Sequence, residues 1–337
     1  MFPSLLLSGL SFIALTGTGV LAHNNDTGSI DRRWLGIEPD GIGLRLWTQG
    51  IITACFYNME HETYLRQTVQ EARALWRAAG LRDDKGWFKL DIQPPDYCLT
   101  PQYRPYTLII EWSGQSTVLQ TTVGMGPQLE PTAAHTPEEI VAMGPRMIIS
   151  DHPLLCHRDL TANVAHELGH AWGLRHEHQN PHFWSTGYSS QGTSSSRYAF
   201  GEGSFFCNQL ADYSETLAKI DASTYEQQVK DQQKALVCKK QQVAELWGFS
   251  ASQWLPIEQD VMTDSSREPD WDSIMIYPSC SGTGGKENTK ENAVALRGRD
   301  GKVIKFVKKP SKKDVEGLKT MYGYNSRDKK GKGKGKR

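Results

Sequence analysis

The 337-residue chain has no net charge, with 38 Lys and Arg balanced by 38 Asp and Glu. Bulk attraction to a polyanion is therefore not implied, and no nucleic-acid partner is expected. There are six cysteines but no CxxC pair, which disfavours a cysteine-rich metal site. There is no internal repeat. After residue 22 no apolar stretch is long enough to span a membrane, so no stable anchor is expected. The first 22 residues lack Lys and Arg altogether.

That first segment is nevertheless informative. Residues 4–22, SLLLSGLSFIALTGTGVLA, are uncharged and mostly apolar and read as a secretory signal peptide, with Val20 and Ala22 suiting cleavage after Ala22. A membrane anchor is the alternative. Gly, Ser and Thr interrupt the run and no basic stop follows directly, which weighs against it. A signal peptide places the rest of the chain outside the cell, where Cys55, Cys98, Cys156, Cys207, Cys238 and Cys280 can form disulfides. The sequence does not select a pairing, although a Cys207–Cys238 bridge would tie a loop to the helix after it. Asn25-Asp26-Thr27 is an N-glycosylation sequon close to the new N-terminus. Residues 329–337 hold six of the basic residues and no acid, so the body is mildly acidic and the tail basic.

The chain is organised around residues 159–178, DLTANVAHELGHAWGLRHEH. Asp159 suits a helix N-cap, and a helix is predicted over about 160–173. Four residues advance a helix by roughly 400°, which puts His166 and His170 on one face about 6 Å apart along the axis. Two imidazoles so placed can meet one zinc ion, and Glu167 stands beside the first of them without being a ligand. Zinc lowers the pKa of a bound water and the glutamate takes its proton. A straight helix would carry His176 about 15 Å from His166. Gly173 allows the chain to turn and return His176 to the metal, because glycine takes positive φ cheaply. His178 is a competing third ligand, disfavoured by the spacing from the glycine. The rival to the whole reading is a set of solvated or core histidines, and the full HExxHxxGxxH spacing stands against it.

Around this centre, residues 46–56 read as a turn and a strand, 61–80 as a helix stopped by Gly80, and 81–104 as strand fragments and loop. Residues 106–112, 116–123 and 146–150 read as strands, and 124–139 as loop. Beyond His178, residues 185–204 read as a long loop and 214–247 as helix. Residues 303–307 read as a short strand and 311–322 as a helix capped by Ser311. Residues 23–45 are polar, contain Arg32-Arg33, and read as a leader or short prosegment. Residues 326–337 are a low-complexity basic tail, read as disordered and solvated.

The motif at 166–176 resembles the metzincin zinc endopeptidases. Glu177 after the third histidine, and Ser273-Ile274-Met275-Ile276-Tyr277, resemble the astacin branch with its Met-turn. The resemblance implies a zincin-like α+β fold over residues 46–325. A mixed sheet and active-site helix would form an upper lobe above a lower lobe rich in loops and helices. It implies zinc on His166, His170 and His176, Glu167 as general base, Met275 as the floor beneath the metal, and Tyr277 as a displaceable fifth ligand and oxyanion partner. A secreted, monomeric enzyme acting on protein or peptide substrates is expected. Ile276 stands where the family has histidine, and His178 is inserted before Gln179, so substrate preference stays open. Two other classes remain: a zinc hydrolase of a non-protein amide, and a catalytically inactive binding protein on the same frame.

Overall fold

A computed structural model describes residues 35–37, 44–83, 86–126, 136–153, 155–194, 197–258, 261–263, 268–284 and 294–324. The expected signal peptide, the sequon, the Arg32-Arg33 pair and the basic tail lie outside the described residues. Of the leader, only 35–37 and 44–45 fall within them.

In chain order the elements are β1 (Leu35–Ile37), β2 (Ile52–Phe56), α1 (Met59–Ala79), β3 (Leu90–Ile92), α2 (Pro95–Cys98), β4 (Leu108–Trp112), β5 (Gln120–Thr121), α3 (Pro137–Ala142), β6 (Arg146–Ile149) and α4 (Leu160–Ala171). After them come α5 (Tyr213–Ala222), α6 (Gln227–Leu236), α7 (Gln241–Leu246), β7 (Val261–Thr263) and α8 (Lys312–Met321). Five strands make a mixed sheet in the order β3-β2-β4-β6-β5, parallel except for β5, which runs antiparallel to β6 at the edge. The fold is therefore α+β, as expected.

α1 begins where the Asn58 side chain accepts the His61 amide at 3.0 Å and ends at Gly80, whose φ of +109° closes the helix. Its buried stripe of Leu65, Val69, Ala72 and Trp76 follows helical spacing. The Trp76 indole N–H reaches across to the Ala165 carbonyl on α4 at 2.9 Å. Successive strand residues face opposite sides. Ala54, Phe56, Ile110, Met147 and Ile149 join α1 and α4 in the main core, while Cys55 and Ile109 pack with Cys98 of α2 in a small separate cluster.

A second core lies beyond α4. It gathers Phe183, Trp184, Phe200, Ile220, Val237, Phe249 and Trp254 around Ile276. The two cores correspond to the two expected lobes. Disulfides pair Cys55 with Cys98, Cys156 with Cys280, and Cys207 with Cys238.

Several local expectations need correction. The loop foreseen over 124–139 stops short of its expected end: α3 begins at Pro137, opened by a capping box in which Thr136 and Glu139 bond each other's backbone amides, and residues 127–135 lie outside the described residues. The strand foreseen over 116–123 shortens to β5. Among the described residues, 303–307 form no strand, because only Val303 finds a bridge partner, Arg297. The helical stretch 214–247 divides into α5, α6 and α7, and α6 has no buried residue. Among the described residues no helix is long and apolar enough to cross a membrane.

Candidate active site

α4 carries the motif. The Asp159 carboxylate accepts the Ala162 amide at 3.1 Å and opens the helix. The helix ends at Ala171, and Gly173 takes a φ of +104°, the backbone turn that the motif demands. β1 then guides the returning chain. The Ile37 amide donates to the Gly173 carbonyl at 3.0 Å, and the Arg175 amide donates to the Leu35 carbonyl at 2.8 Å. His176 follows and heads a short 3-10 turn, Glu177–Gln179.

The three imidazoles converge. Their candidate ligand atoms all lie within 4.8 Å of one another. Each ring has its Nδ1–H committed elsewhere: His166 donates to the Ile274 carbonyl at 2.7 Å, His170 to the Leu174 carbonyl at 2.8 Å, and His176 to Gln179 Oε1 at 3.0 Å. Those bonds fix the tautomer and leave each Nε2 lone pair for the common point. Gln179 is itself held, donating to the carbonyls of Ser252 at 2.9 Å and Leu255 at 3.1 Å. Desolvation lowers the pKa of all three rings, His170 to about 4, so they are neutral as metal ligands must be. Among the described residues, His166 Nε2 is buried with no hydrogen-bond partner, and so is Glu167 Oε2. Two orphaned polar atoms beside a neutral three-nitrogen set are what a bound zinc and its water would satisfy.

His178 is not in this cluster. Its Nε2–H donates to the Gln253 carbonyl at 2.9 Å, and its Nδ1 accepts the Tyr277 amide at 3.4 Å. It packs between Trp254 and Tyr277, with ring centroids 5.0 and 5.1 Å away. The rival third ligand is thus a buried brace for the backbone of Tyr277. The Tyr277 ring lies 4.0 Å from the His176 ring and 5.7 Å from His166.

Met275 is buried beneath the helix, against Gly169. A Cβ on Gly169 would overlap the Met275 sulfur. The Met275 turn is clamped by Asp314 from α8, which accepts the Ser273 hydroxyl at 2.6 Å and the Ile274 amide at 3.0 Å. Sequence reasoning missed Asp314. Its one visible signal was the Ser-x-x-Asp spacing from Ser311, a capping pattern that gives no hint of the second role.

A cavity of about 380 Å³ opens over these groups, with Glu167, His176 and Tyr277 on its floor and Thr117 to Thr121, including β5, along one wall. Burial pushes the Glu167 carboxyl up to about 7. Desolvation first, and the Glu167 charge second, push the Tyr277 phenol above its ordinary value, so it stays a hydrogen-bond donor.

No protein-family model and no curated protein matches the sequence. Among solved structures, the chain is similar to high choriolytic enzyme 1, a hatching enzyme zinc-protease from Oryzias latipes, the medaka fish. The identity is 11%, over 83% of this chain and 94% of that one, with a TM-score of 0.41. It is also similar to the crystal structure of myroilysin, at 16% identity over 85% of this chain and 88% of that one, with a TM-score of 0.38.

Proposed function

We propose that this chain is a secreted, monomeric zinc endopeptidase of the metzincin kind, astacin-like, cutting protein or peptide substrates. The observation that carries the reading is the convergence of three neutral Nε2 atoms beside an unpartnered, buried Glu167 oxygen. The six paired cysteines agree with an oxidising compartment.

His166, His170 and His176 would hold zinc. The ion supplies Lewis acidity to the scissile carbonyl and acidifies water. The residues do the rest. Glu167 accepts the proton of the attacking water and delivers it to the leaving amine, a task matched to a carboxyl that burial has raised toward neutrality. Tyr277 donates its phenolic hydrogen to the oxyanion. β5, at the sheet edge along the cavity, offers unpaired backbone groups to an extended peptide.

The test is Glu167→Ala, assayed by digestion of casein with and without a chelator. The wild-type protein should digest casein and stop when chelated. The variant should bind one zinc and digest nothing. Full activity in the variant would sink the proposal, and zinc binding without digestion by the wild type would favour an amide hydrolase of small substrates or a binding protein.

A further inference from the structure

A second cavity adjoins the zinc cleft. It is a groove of about 1490 Å³, and Phe306 lines both spaces. One wall is the segment 302–313, KVIKFVKKPSKK, which has six lysines and no acid in a chain with no net charge.

This strap is fastened to residues that flank the catalytic groups. The Ile304 amide donates to Ser279 Oγ at 2.7 Å, and the Ser279 amide donates back to the Ile304 carbonyl at 3.0 Å, two residues beyond Tyr277. Phe306 stacks on His157 with centroids 4.9 Å apart. Lys308 Nζ lies 3.3 Å from Asp159, the cap of the zinc helix. Lys302 pairs with Asp300 at 2.6 Å. Among the described residues, no carboxylate lies within ion-pair distance of Lys305, Lys309, Lys312 or Lys313. Arg197 and Arg299 add to the same groove. Four carboxylates also line it, but Asp270 is buried against the Ser311 hydroxyl and Asp300 is taken by Lys302, so positive charge prevails. Like charges held together along one wall repel unless an anion joins them.

We propose that the groove is an exosite for an acidic stretch of the polypeptide whose scissile bond lies in the zinc cleft. The proposal rests on the endopeptidase reading and adds a substrate class to it. Continuity through Phe306 favours a polypeptide over a free anionic polysaccharide, because one extended chain can occupy both spaces.

The experiment uses three fluorogenic peptides sharing one neutral core that the enzyme cleaves. One has neutral extensions, one an Asp/Glu block on the N-terminal side, and one the same block on the C-terminal side. At least one acidic peptide should show a KM about tenfold lower at unchanged kcat, since a few exposed ion pairs sum to that much. The advantage should shrink with added salt and vanish in Lys305→Glu/Lys309→Glu, while the neutral peptide is cut as before. Equal KM for all three peptides overturns the exosite, as does dextran sulfate binding to the groove without any gain for the acidic peptides. If no peptide is cleaved, the endopeptidase reading has failed instead. Fluorescence anisotropy of the labelled acidic peptides on the wild type and the double variant then decides the groove alone, and equal binding overturns it.

Discussion

Asp314 governs Ile274 from 40 positions away. Its Oδ2 accepts the Ile274 amide at 3.0 Å, and the Ile274 carbonyl takes the Nδ1–H of His166 at 2.7 Å. A carboxylate in the first turn of α8 therefore helps to orient the first histidine of the HExxHxxGxxH motif through one intervening residue, Ile274.

Asp314→Ala removes acceptors for the Ser273 hydroxyl and for the amides of Ile274 and Ser311. It should cost about 3 kcal/mol of stability in urea unfolding, and zinc affinity should fall about tenfold or more. Burial pushes the Asp314 carboxyl up to about 6 from 3.8. The native state thus holds that proton to higher pH than the unfolded chain. The resulting stability is fully present below about pH 4 and is lost as pH rises through about 6. The stability difference between wild type and Asp314→Asn should therefore drift against the wild type between pH 4 and 7, and a constant difference would contradict the assignment.

Gly169→Ala places a methyl group in the Met275 sulfur. Alanine is the better helix former, so a gain would be expected on a free surface. Here overpacking should win, with a loss of about 1–3 kcal/mol and weaker zinc retention, read by thermal unfolding and metal content.

His178→Phe keeps a ring between Trp254 and Tyr277 but leaves the Gln253 carbonyl and the Tyr277 amide without their partner. A stability loss of about 2 kcal/mol is expected from those buried groups. Zinc stoichiometry should stay at one while kcat falls, which separates a brace from a ligand. Loss of the metal would return His178 to the ligand set.

Tyr277→Phe deletes the phenolic donor and preserves the ring packing against His176. We expect kcat to fall about 10²-fold with KM and zinc content unchanged. An unaltered kcat would assign the oxyanion role elsewhere.

Most of the centre was legible because its signals are local. The i, i+4 histidines and the glycine three residues later encode one helix and one turn, and α4 with Gly173 follows that outline. The stripe from Leu65 to Trp76 likewise read as a core-facing helix, and α1 has it. What escaped depends on distant partners. Nothing in Leu35-Gly36-Ile37 announces a strand, since its register comes from Val261–Thr263 and from the turn at Gly173. The edge strand β5 is short because only two residues find β6. Asp314 went unread because its partners Ser273 and Ile274 lie about 40 residues away, and His178 read as a competing third ligand. The lysines of 302–313 were plain in the sequence, but their position beside the cleft comes from Ser279 and His157.

The Cys156–Cys280 bridge has a consequence for the order of events in the making of the molecule. It joins the approach to the zinc helix with the segment just past Tyr277, across 124 residues. The motif is synthesised before its floor, its tyrosine and the Asp314 clamp, and Ile274 lies 108 residues past His166. Contacts of such long sequence range are slow to form, because the intervening loop must be closed first. A nascent chain should therefore carry a complete HExxHxxGxxH motif and no working centre until α8 docks. The three-histidine site would therefore be completed only in a late stage of folding.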